Sequence, residues 1–99
     1  MSSRSLGGIT TGQVATNATT ATRLASPQTS QTGRVNWRIE LRSMASGSDI
    51  IYIGHASTVT SSTGFPLAAG ERVKLQADDP SRIWAISSAN TPSLAYVYT

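Results

Sequence analysis

The chain of 99 residues contains no cysteine and a single histidine. Without cysteine there is neither a disulfide framework nor a thiolate-based zinc site. His55 and five scattered carboxylates make a poor transition-metal shell, and no cofactor is expected. Charged residues are only 13% of the chain. Hydrophobic residues are 38%, below the ~45–50% of ordinary globular chains. One small core is still possible, because a chain of this size buries roughly two-thirds of its unfolded surface. No apolar run approaches the ~20 residues of a membrane-spanning helix, so no membrane partner is expected. Residues 1–25 lack the apolar stretch of a secretory signal. Their acid-free, Arg-containing composition is that of a mitochondrial transit peptide, but the amphipathic helical pattern is missing. Asn17-Ala18-Thr19 fits a glycosylation acceptor, which has no use without export.

What the chain does have is hydroxyls: 15 Ser and 13 Thr. Its formal net charge is +3 and its pI about 10.0, from few charges rather than many. The basic residues Arg4, Arg23, Arg34, Arg38, Arg42, Arg72, Lys74 and Arg82 form no run, so nucleic acid is not the expected partner. The distribution is uneven, however. Residues 1–39 carry four Arg and no acid, which suits an acidic partner surface. All six aromatic residues lie at or beyond Trp37, which places the core in the last two-thirds.

Residues 1–12 read as an extended N-terminal arm, interrupted by Gly7-Gly8 and anchored only by Leu6 and Ile9. A polar arm of this kind is ordered by what it touches, and a neighbouring subunit is the simplest support. Residues 13–99 read as one β domain. Residues 13–16 and 20–24 are short β-segments by their Thr and Val content. Turns are expected at Ser26-Pro27 and Gly33. Residues 34–42 alternate without a fault: Val35, Trp37, Ile39 and Leu41 on one side, Arg34, Asn36, Arg38, Glu40 and Arg42 on the other. That is a half-buried strand. Further strands are expected at residues 49–53, 57–60, 71–76, 82–87 and 94–98, with a bend at 65–67 and a turn at 77–80. The fold class is therefore all-β: a small β-sandwich or jelly-roll-like barrel of about six to eight short strands. Two segments, residues 50–53 and 83–86, are apolar on both faces. Such a strand is either central in its sheet or covered by another subunit.

Chemistry has little to build on. There is no Gly-x-Ser-x-Gly elbow, and a loop histidine among so many hydroxyls is a solvated one. Asp78 and Asp79 are adjacent, so in a turn they diverge rather than share a proton or a metal ion. A calcium ion there has no further support. Gly7-Gly8 lacks the lysine and strand–helix context of a phosphate loop. No catalytic residue is expected. Exposed aromatics such as Tyr96 or Tyr98 would serve a carbohydrate-binding sandwich, the alternative from another functional class.

The order of pieces from residue 13 onward resembles a group of small structural proteins of tailed-bacteriophage particles. The resemblance lies in Thr19-Thr20-Ala21-Thr22-Arg23-Leu24, Ile50-Ile51-Tyr52-Ile53-Gly54, Ser57-Thr58-Val59-Thr60, Gly64-Phe65-Pro66-Leu67-Ala68-Ala69-Gly70-Glu71, Ile83-Trp84-Ala85-Ile86 and a final β-strand, and it leaves the arm outside. It implies a capsid decoration, or cement, protein on the outer surface of the virion, made in the bacterial cytoplasm. Its partners would be the major capsid protein and copies of itself, as a homotrimer. A tail, neck or head-fibre component is the alternative within that class. The expected contacts come from Arg4, Leu6, Ile9, Val14, Arg23 and Leu24. An arm that pairs with a neighbour's sheet edge gains backbone hydrogen bonds with little side-chain specificity, and repetition multiplies weak contacts.

Overall fold

Side-chain alternation in residues 37–42 dictates a strand with one dry and one wet face, and the chain builds its larger sheet around it. The computed structural model describes residues 4–6, 9–25 and 37–99. Nine strands occur among them: β1 (Arg4–Leu6), β2 (Ile9–Ala15), β3 (Thr22–Arg23), β4 (Trp37–Ser43), β5 (Ile51–Gly54), β6 (Phe65–Leu67), β7 (Arg72–Ala77), β8 (Trp84–Ser87) and β9 (Ser93–Tyr98). They form a five-stranded sheet of order β1-β2-β9-β4-β7 and a four-stranded sheet of order β3-β8-β5-β6, antiparallel throughout. The protein is a small all-β sandwich. The expected turns at Ser26-Pro27 and Gly33, the Gly7-Gly8 break and the first three residues of the 34–42 strand lie outside the described residues.

The core sits between the sheets. From the larger sheet come Trp37, Ile39, Leu41, Leu94 and Tyr98; from the smaller, Ile51, Ile53, Leu67 and Ala85, with Leu24 and Ile83 beside them. Three polar residues are buried with them, and each is satisfied. Thr16 donates both its N–H and its hydroxyl to the Pro92 carbonyl, at 3.0 and 2.6 Å. Ser43 N–H reaches the Glu71 carbonyl at 2.9 Å, and Ser87 N–H the Asn17 carbonyl at 2.9 Å. Among the described residues no buried side-chain nitrogen or oxygen lacks a partner, as a stable interior requires.

Three local expectations change. Residues 57–60 are not a strand but part of the loop after β5, closed by Val59 N–H on the Ala56 carbonyl and by Thr60 and Thr63 bonding each other. Residues 65–67 are a strand rather than a bend. Pro66 is tolerated because β6 is the edge of its sheet, where a missing N–H costs no interior ladder bond. The N-terminal residues 9–12 continue into residues 13–15 as the single strand β2, which covers the edge of β9 from Thr10↔Tyr98 to Ala15↔Ser93. The boundary at residue 12 thus falls inside a strand of the domain. The two strands apolar on both faces are accounted for by position: β8 and β5 are the two interior strands of the smaller sheet.

Candidate functional site

The hydroxyl-rich chain places its chemically distinctive side chains in three locations. The first is the interior of the larger sheet. Trp37 meets Tyr98 edge-on at 5.5 Å and 77°, and Tyr98 stacks on Tyr96 at 5.6 Å and 12°. Gly12 lies opposite Tyr96, and a Cβ there would stand 2.5 Å from the Tyr96 hydroxyl oxygen. Glycine at this point lets the ring lie flat on β2. Tyr98 is 2% exposed and Tyr96 half-buried, so these rings offer no exposed platform for a sugar. Burial, then Tyr96, then Asp79 hold the Tyr98 phenol above its ordinary 10.0, against a side-chain hydrogen bond with Thr10. The fold therefore favours the neutral phenol. That contribution to stability is complete below pH 10 and is lost as pH rises through the folded value. Alkaline titration of unfolding should show stability falling above pH 10, and Tyr98→Phe should flatten that fall. An unchanged slope in the variant would assign the loss elsewhere.

The second location is the outer face of the smaller sheet. β3 and β8 bring Arg23 opposite Trp84, with the guanidinium carbon 5.1 Å from the ring centroid. β8 and β5 bring Ile86 opposite Tyr52. The loop of residues 55–63 folds over this face and seats Val59, 7% exposed, against Gly54 and Gly64. Tyr52 and Ile86, with Thr60, Ser61 and Ser88, line a hollow of about 410 Å³ beside it. This face is apolar at its floor and hydroxylated at its rim.

The third location is the N-terminal edge. β1 pairs with β2 from Arg4↔Thr11 to Leu6↔Ile9, and its other edge meets no strand among the described residues.

The six expected contact residues are therefore dispersed. Arg4 and Leu6 are in β1, Ile9 and Val14 in β2, and Arg23 in β3. Val14 packs against the core, and Leu24, 4% exposed, belongs to it. Arg23 is exposed and sits on the outer face of the smaller sheet. His55 is exposed in the bend that follows β5. Asp79 caps the 3-10 turn Pro80–Arg82 by accepting from Ser81 N–H at 2.9 Å, and Asp78 pairs with Arg82 at 3.5 Å. The two carboxylates diverge, and among the described residues no group of three or more His, Cys, Asp or Glu could hold a metal ion. No helix of the described residues is long and apolar enough to cross a membrane.

The cations of the larger sheet were not singled out as a site by sequence reasoning. Alternation in residues 37–42 and 72–77 carries the signal, because it puts Arg38, Arg42, Arg72 and Lys74 on one face once β4 and β7 are known to pair. Compared with models of protein families, with curated proteins and with solved structures, the chain matches none of them.

Proposed function

We propose that the protein is a non-enzymatic structural component of a tailed-phage particle, attached to the outer capsid surface as a decoration protein. One observation carries the reading. Four of the segments that resemble phage structural proteins fold into one sheet: residues 19–24 supply β3, 50–54 supply β5, 64–71 supply β6 and 83–86 supply most of β8, while the final strand of the resemblance is β9 of the larger sheet. Those four strands are the whole of the smaller sheet, and residues 57–60 lie in the loop that covers its outer face. The attachment element in this reading is β1, a three-residue strand with an open edge, suited to pairing with a neighbour's backbone.

The experiment is cosedimentation of the purified chain with expanded, DNA-free heads of the phage that encodes it, followed by electron microscopy of the loaded heads. Removing residues 1–12 would strip half of β2 from β9, so the informative truncation is residues 1–8. The truncated chain should keep its β-type circular dichroism and lose most of its occupancy. Full-length protein that fails to bind heads overturns the reading. Truncated protein that binds as well as the parent removes β1 from it.

A further inference from the structure

The outer face of the larger sheet is built from β4 and β7. Register sets Arg38 opposite Gln76, Glu40 opposite Lys74 and Arg42 opposite Arg72. Four cations thus share the face with one carboxylate. Arg42 and Arg72 are like charges directly opposed, an arrangement that costs stability in a sheet. Glu40 answers Arg72 at 3.9 Å, and the other three cations form no ion pair among the described residues. Small side chains, Val97 and Thr99 of the neighbouring chain end, leave a shallow depression of about 410 Å³ beside Arg38 and Lys74.

Among the described residues the same strand β7 is the last of its sheet, with no strand beyond it. Hydrogen bonds fix what that edge presents. Arg38 and Thr99 exchange both backbone bonds at 3.0 Å on one side of β4, and Ser43 N–H bonds the Glu71 carbonyl at 2.9 Å on the other. Bonding pairs alternate along an antiparallel ladder. Val73 and Leu75 therefore turn their N–H and C=O groups toward β4, and Arg72, Lys74 and Gln76 turn theirs outward. These are the same residues whose side chains stand on the cationic face.

We propose that the β7 edge binds an acidic peptide in extended conformation, as a sixth strand of the larger sheet. Outward backbone groups of Arg72, Lys74 and Gln76 supply the ladder. Carboxylates at every second residue of the ligand recur at about 6.8 Å, the spacing of Arg72 and Lys74 along β7. A second copy pairing through its N-terminal edge strand is the wrong occupant by charge, because the sequence of β1 contains Arg4 and no carboxylate. Single-stranded nucleic acid is disfavoured too, because among the described residues the aromatic side chains of β4 and β9 lie on the opposite, core-facing side and none stands on this face to stack bases. The inference stands on this chain alone, whether or not it decorates a capsid.

The test is fluorescence anisotropy with a labelled peptide of about eight residues that alternates glutamate and threonine. It should bind in low salt and weaken as salt rises. Two ligand changes leave the protein untouched: glutamine in place of glutamate, and N-methylation of alternate amides. Each should weaken binding roughly tenfold or more. Lys74→Glu should do the same, whereas Arg23→Glu, on the other sheet, should leave affinity unchanged. The proposal is overturned if the acidic peptide does not bind, if the N-methylated peptide binds like its parent, if Arg23→Glu weakens binding as much as Lys74→Glu, or if duplex DNA competes as strongly as the peptide.

Discussion

Trp37→Ala should lower the unfolding free energy by about 3–5 kcal/mol, a large share of the roughly 5–15 kcal/mol that holds a domain together. The residue opens β4, is 3% exposed and stands opposite Ala77. Its ring is the first of a row that runs Trp37, Tyr98, Tyr96 and ends on the bare backbone of Gly12. Through that row three strands of the larger sheet, β4, β9 and β2, share one layer of packing. Truncation at Trp37 removes the largest side chain of the layer and leaves the edge of Tyr98 without its neighbour. Urea unfolding followed by far-ultraviolet circular dichroism measures the effect independently of tryptophan fluorescence. Trp37→Phe keeps an aromatic edge contact and should cost markedly less. A double-mutant cycle with Tyr98→Leu should return a coupling of about 0.5–1.5 kcal/mol beyond area burial. If Trp37→Ala costs under about 1 kcal/mol, in the range of ordinary surface changes, the ring row is not what joins these strands.

That row also marks how far the sequence could be read. The strand of residues 34–42 is legible because its pattern is local: Trp37, Ile39 and Leu41 face the core in the structure as alternation requires, and Arg38 and Arg42 face solvent. The role of Gly12 is not local. It follows from Tyr96, at the other end of the chain, so residues 9–12 look from sequence like a polar arm and fold as the first half of β2. Phe65-Pro66-Leu67 is similar. Proline argues for a bend unless the segment is known to be an edge, and edge position is a property of the sheet. The turn at Asp78 and Asp79 needed no such knowledge. Its capping bond from Ser81 lies within a few residues, and it is where the sequence places it.

The cationic face is a halfway case. Each of its strands shows its outward cations by alternation, but the like-charge opposition of Arg42 and Arg72 exists only once β4 and β7 are set in register. The scattered basic residues thus look dispersed along the chain and are gathered by strand pairing. The same pairing explains why the protein's charge excess has a location although its sequence has no basic run.

Gly54→Val should cost about 2–4 kcal/mol, and the loss should vanish in part when Val59 is shortened. The argument begins with Val59, flanked by hydroxyls in residues 57–60 and therefore easily taken for a strand residue. It is 7% exposed yet stands apart from the main core. Its seat is the outer face of the smaller sheet. A Cβ on Gly54 would come within 2.5 Å of Val59 Cγ2 and 2.6 Å of its Cβ; one on Gly64 would come within 2.6 Å of Tyr52 Cβ and 3.0 Å of Val59 Cγ2. Neither glycine has a left-handed φ, so the demand is for space and not for backbone conformation. Gly70 is the opposite case, with φ of 79° and nothing within 4 Å. A side chain at Gly54 must expel Val59, and with it the loop of residues 55–63 that covers Tyr52. In a cycle of Gly54→Ala and Val59→Gly, which removes both the Cγ2 and the Cβ that a Gly54 side chain would strike, the double variant should be more stable than the two single losses predict, by about 0.5–3 kcal/mol. Amide exchange should localise the single-variant defect to residues 55–63 while β4 and β9 keep their protection. If the two losses simply add, Val59 is not seated on Gly54, and the loop is held to the sheet by its own turn hydrogen bonds.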